Sequence, residues 1–117
     1  MRDKVPKIKE LLKKAEDELF KYESSKRFVN LSQACEKTWV AFNLLVEQKS
    51  GKEIHRSEGV MNVAYELDLG LLYEKALVLH ILHYEGSVGV SEEEFVRKVR
   101  ETIYDIKFRL KHLQKRK

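Results

Sequence analysis

A chain of 117 residues, 43% hydrophobic and 36% charged, has room for one core and reads as a single helix-rich soluble domain over residues 1–117. One cysteine, Cys35, excludes an internal disulfide and a cysteine-based zinc cluster. The net charge is only +4, the longest apolar run (Ala76–Leu82) is too short to span a bilayer, and MRDKVPKIKE has no apolar signal core. No membrane partner is therefore expected, and the expected compartment is the cytoplasm.

The first predicted helix runs from about Asp3 to Glu23. Asp3 can cap it, and Pro6 sits in the first turn, where a missing N–H costs nothing. Val5, Ile8, Leu11, Leu12, Ala15, Leu19 and Tyr22 recur at steps of three and four and form one apolar face. Ser24 and Ser25 break the pattern and offer an N-cap to the next helix. That helix, about Arg27 to Lys49, carries Phe28, Leu31, Cys35, Trp39, Phe42 and Val46 on one stripe, widened by Ala34, Thr38, Ala41 and Leu45. A stripe so broad predicts a central helix with two or more neighbours, and residues 31–46 are its most buried part. Gly51 is placed to stop it in a left-handed conformation.

After the polar connection KEIHRSEG, a shorter helix is predicted from about Ser57 to Leu69 and a fourth from about Leu71 to Glu85, ending at Gly86. The loop SVGV leads to Ser91, which with Glu94 has the spacing of a capping box. The last helix carries Phe95, Val99, Ile103, Ile106, Leu110 and Leu113. Only one proline interrupts the chain, in its first turn, and no alternating strand pattern persists. The fold class is all-α, an up-and-down bundle of about five helices.

Charge is unevenly spread. Residues 98–117 hold eight basic and two acidic groups, a balance of +6, whereas residues 28–97 hold six basic and eleven acidic, a balance of −5. The basic end, about 107–117, predicts a nucleic-acid contact through Lys107, Arg109, Lys111, Lys115, Arg116 and Lys117. The plain alternative is that these cations complement the helix dipole and keep the protein soluble.

Two stretches resemble a known family. QACEKTWVA, Gln33 to Ala41, is similar to the QA-x-EK-x-W-x-A signature of the archaeal PaREP family. ALVLHILHYEG is similar to that family's A-x-x-LH-x-N-F-YEG segment: Ala76, Leu79, His80, Tyr84, Glu85 and Gly86 match, while Leu82 replaces Asn and His83 replaces Phe. The likeness covers about residues 5 to 112. PaREP proteins resemble the wider HEPN superfamily, compact helical bundles that commonly dimerise. Many of its members are ribonucleases, toxins of toxin–antitoxin pairs or partners of nucleotidyltransferases.

The resemblance thus implies a homodimer or higher oligomer, with RNA or a protein such as a nucleotidyltransferase as partner. The ribonuclease members carry Arg, four to six residues, then His. Here the arginine positions before His83 hold Val78, Leu77 and Ala76, and those before His80 hold Lys75, Glu74 and Tyr73. Lys75 before His80 is the nearest approximation, and lysine lacks the planar fork with which arginine grips a phosphate.

His80 and His83 lie on adjacent rows of one helical face, and their imidazoles suit general acid–base chemistry, with Tyr84 able to orient or assist. His80, His83, Tyr84 and Lys75 are the catalytic candidates. A zinc site needs three or four convergent ligands, and only Glu74 or Glu85 could join the histidines, so no metal is expected. Neither GxxxxGK[ST] nor GxGxxG occurs, and no cofactor is expected. Cys35, one turn from Trp39, reads as an inert core thiol. The leading expectation is a module that binds RNA or a protein without efficient catalysis. A metal-independent endoribonuclease using His80 or His83, and a purely structural subunit, are the alternatives.

Overall fold

The computed structural model describes residues 3–54, 57–85 and 91–115, with side chains described throughout these ranges except at 57, 58, 84, 85, 114 and 115. Five α-helices follow one another: α1 (Val5–Ser25), α2 (Phe28–Ser50), α3 (Ser57–Glu66), α4 (Gly70–Glu85) and α5 (Glu92–Lys115). In α1 the Asp3 carboxylate accepts the Val5 N–H at 3.0 Å, and Pro6 lies in the first turn. Ile8, Leu12, Ala15, Leu19 and Tyr22 are buried, the stripe that the spacing predicts.

The α1–α2 junction differs from the expected serine cap. Ser24 and Ser25 stay helical and donate their hydroxyls to the carbonyls of Phe20 and Lys21, four residues back. Lys26 makes the left-handed turn at φ 57°, and its N–H meets the Tyr22 carbonyl at 2.7 Å. With no glycine at hand, a lysine takes a conformation that disfavours side chains. At the other end of α2, Gly51 turns at φ 75° and donates its N–H to the Glu47 carbonyl, as expected.

Helix α2 touches α1, α3, α4 and α5, and is the central helix its broad stripe predicts. Phe42, Leu45, Val46, Leu31, Ala34 and Cys35 are fully buried, and Trp39 nearly so. The buried hydroxyls of Thr38 and Thr102 each donate to the carbonyl four residues back, at 2.7 Å. Among the described residues no buried side-chain polar atom lacks a partner.

Cross-helix pairs fix the directions of the four long helices. Lys4 meets Gln48 and Glu18 meets Asn30 across α1 and α2. Ser32 meets His83 and Glu36 meets His80 across α2 and α4. Glu16 meets Lys107 and Glu23 meets Arg100 across α1 and α5. In every case residue numbers rise on one helix as they fall on the other, so each pair is antiparallel. The bundle thus runs up, down, up and down through α1, α2, α4 and α5.

The short α3 stands at the connection between α2 and α4. It ends at Glu66, before the expected Leu69, because Asp68 turns left-handed at φ 61° and buries Leu69 outside the helix. Gly70 then opens α4 where a Cβ would meet the Tyr65 ring at 2.5 Å. This close approach lets the Tyr65 hydroxyl donate to Glu74 at 2.9 Å, which raises the phenol's pKa by favouring its neutral form. The expected end of α4 at Gly86 and the SVGV loop fall outside the described residues.

The Glu94 N–H donates to Ser91 Oγ at 3.2 Å at the start of α5, one half of the predicted capping box, while the Glu94 carboxylate meets Arg97. Phe95, Val99, Ile103, Ile106 and Leu110 are buried in the expected register. Among the described residues no helix is long and apolar enough to cross a membrane.

Candidate functional site

Both histidines enter the seam between α4 and α2, and a glutamate waits there. Ser32 and Glu36 lie four apart on α2 and therefore share a face. His80 and His83, three apart on α4, meet that face. His80 Nδ1 stands 3.4 Å from Glu36 Oε2, and His83 Nε2 stands 3.9 Å from the same oxygen. His83 Nδ1 lies 2.7 Å from Ser32 Oγ and 3.0 Å from the Ser32 carbonyl oxygen. In one tautomer it accepts from the hydroxyl, and in the other it donates to the carbonyl.

His80 is held from a second side. Its ring stacks on Trp39 with centroids 4.7 Å apart and an interplanar angle of 21°. Trp39 in turn packs against Phe42 and Tyr73, so the imidazole closes the edge of a buried aromatic cluster. The histidine side chains remain 27% and 22% exposed, so the seam is a shallow polar cleft. Neither imidazole is fully buried and neither faces solvent freely, because Glu36 lies between the two rows and draws in both.

The other catalytic candidates do not join them. Lys75 forms an ion pair with Asp105 on α5 at 2.7 Å, which turns it away from His80. Its position five residues from His80, about 140° round the helix, requires this. The side chain of Tyr84 lies outside the described residues. Among the described residues no group of three or more His, Cys, Asp or Glu converges as a metal site. Cys35 is fully buried, and burial, then the nearby Glu36 charge, pushes its thiol up to about 12, far from the range of a reactive thiolate.

The cations of α5 divide between two faces. Lys107 and Lys111, four apart, line a groove against α1, and Lys107 pairs with Glu16 at 2.9 Å. Arg109, two residues from each, lies on the other side with Lys49, Phe108 and His112. At 100° per residue a step of two is nearly a half-turn, so these three cations share no face. The Lys115 side chain and residues 116 and 117 lie outside the described set.

No family model, curated protein or solved structure matches this chain. The site must therefore be read from its own geometry. Sequence reasoning missed Ser32 and Glu36, although Glu36 stands within the QACEKTWVA stretch. Their four-residue spacing, beside Trp39 on the same helix, was the available signal. Only the packing of α4 against α2 reveals which histidine each one meets.

Proposed function

We propose that this chain is an HEPN-like helical module that acts by binding RNA or a protein partner, without efficient catalysis. The observation that carries the reading is the engagement of the two histidines. His83 is held by Ser32 and Glu36, His80 by Glu36 and the Trp39 ring, and Lys75 by Asp105. Phosphodiester cleavage needs a mobile proton acceptor beside a cation that steadies the phosphate. Here the nearest family-like cation is committed to another helix. RNA is the partner class favoured by the +6 balance of residues 98–117.

The module acts as a homodimer. Leu71, Val78 and Ile81 are exposed along the outer side of α4, where they flank Glu74 and Lys75. Such exposed apolar residues gain from cover. Light scattering on the purified protein should give a dimer mass, and Ile81→Glu should give a folded monomer. A monomeric wild type at micromolar concentration would remove this part.

A second reading, a metal-independent endoribonuclease, draws on the partial exposure of both imidazoles beside Glu36. One experiment separates the two. Wild type and His80→Ala are incubated with structured and single-stranded RNA, and binding and cleavage are followed together. Salt-dependent binding without turnover supports the module. Robust cleavage that vanishes in a folded His80→Ala protein makes it the nuclease.

A further inference from the structure

The furrow between α1 and α5 is formed by two grooves that share a wall. One, about 440 Å³, is lined by Lys9, Lys13, Lys107 and Lys111 over a floor of Leu12 and Leu110. The other, about 420 Å³, is lined by Phe20, Tyr104 and Arg100 over Leu19 and Ile103. Glu16 and Lys107 belong to both, so the furrow is continuous.

Its two halves differ in chemistry. Phe20 is 72% exposed and Tyr104 is 69% exposed, although each sits beside a residue of the buried core. Two large rings facing water from adjacent helices are costly for a fold that needs neither. The charges also favour one sign. Five cations line the furrow against two carboxylates, Glu16 and Glu23, and each carboxylate is matched across the helices by Lys107 or Arg100. The surplus lies at the Lys9, Lys13 and Lys111 end, where Lys13 also meets Asp17 at 3.7 Å along α1.

The spacing is matched on the two helices. Lys13 precedes Phe20 by seven residues, and Lys111 follows Tyr104 by seven, on antiparallel helices. At 1.5 Å per residue the cationic end and the aromatic end stand about 10 Å apart. That distance is short enough for one stretch of strand to reach both ends.

We infer that the α1–α5 furrow is a track for single-stranded RNA, with phosphates on Lys9, Lys13, Lys107 and Lys111 and bases stacked on Phe20 and Tyr104. A cationic groove that leads onto aromatic faces is how unpaired strands are held without sequence readout, because every base has a stacking face. Duplex RNA keeps its bases inside and offers the rings nothing. This inference rests on RNA binding as proposed above, and it moves the contact from α5 alone to a surface that α1 completes.

Fluorescence anisotropy with labelled oligouridine and a blunt RNA duplex, at several salt concentrations, tests it. Phe20→Ala/Tyr104→Ala alters only exposed side chains, and should weaken oligouridine binding roughly 30-fold at unchanged salt dependence. Lys9→Glu/Lys13→Glu should weaken it too and flatten the logarithmic salt slope by about 1.4, at about 0.7 per phosphate contact. Duplex should bind more weakly than oligouridine and ignore the aromatic variant. Oligouridine binding that survives both double variants overturns the furrow while leaving RNA binding intact. Equal binding of duplex and oligouridine overturns the single-strand assignment. Failure of the wild type to bind any RNA removes the RNA reading itself.

Discussion

Tyr22→Phe deletes one oxygen from the core and tests the lock between the end of α1 and the start of α5. The Tyr22 ring is buried, and its hydroxyl donates to Glu92 Oε2 at 2.6 Å. This hydrogen bond, then burial, pushes the phenol up to about 12 from an ordinary value of 10.0. Only the neutral phenol can donate, so the native state holds its proton while the unfolded chain releases it at about 10. The corresponding stabilisation has a ceiling of about 2.7 kcal/mol, at about 1.36 kcal/mol per pH unit. Glu92 lies at the surface, and water screening lowers the expectation to about 1–1.5 kcal/mol.

The direction with pH follows from the proton count. Between pH 10 and about 12 the native state binds more protons than the unfolded state, so this contribution is complete below pH 10 and disappears as pH rises to about 12. Urea unfolding of both proteins across this range isolates the effect, because every other titrating group cancels in the difference. Tyr22→Phe should be less stable by about 1–1.5 kcal/mol at neutral pH, and the gap should close toward pH 12. A gap that is absent at neutral pH, or that persists unchanged at high pH, refutes the argument.

Trp39→Ala should cost on the order of 3–5 kcal/mol in urea unfolding, since it empties the centre of the Phe42, Tyr73 and His80 cluster. A cost below about 1 kcal/mol would show that the cluster collapses without it. Cys35 should resist iodoacetamide at pH 8 in the native protein and react at once in guanidinium, because its thiol is buried and pushed up to about 12. Native labelling as fast as a free thiol contradicts that burial. Asp105→Asn frees Lys75 from a surface ion pair, and should cost about 0.2–1 kcal/mol with no gain of RNA cleavage. Cleavage appearing in this variant would show that the pair holds a catalytic cation in reserve.

The elements legible in the sequence are those with one wet face. In α1 and α5 the apolar stripe is narrow and the opposite side charged, so Ile8, Leu12 and Leu19, and Val99, Ile106 and Leu110, could be assigned to the core from spacing alone. Helix α4 offers no such contrast. Leu77 and Ile81, a helical step of four apart, could as well have packed inward, yet Ile81 is exposed and Leu72, Ala76, Leu79 and Leu82 are buried. With apolar residues on the outer side as well, periodicity cannot say which side faces the core. Arg109 illustrates a different limit: it is near Lys107 and Lys111 in sequence, but two steps along a helix reverse direction.

The histidine cleft marks a sharper boundary between pattern and packing. QACEKTWVA and ALVLHILHYEG lie on different helices, separated by α3 and two connections, and nothing in either stretch names the other. The fold lays them against each other, so that Glu36 and Trp39 of the first close on His80 of the second. The stacked indole fixes the plane of the imidazole, and the carboxylate fixes its polar edge. Residues that read as separate motifs are therefore two halves of one contact. Loss of the Glu36 carboxylate would remove a contact that His80 and His83 share, though they are spaced along α4 as if independent. That coupling explains why acidic, aromatic and imidazole groups occur together here without requiring that they act on a substrate.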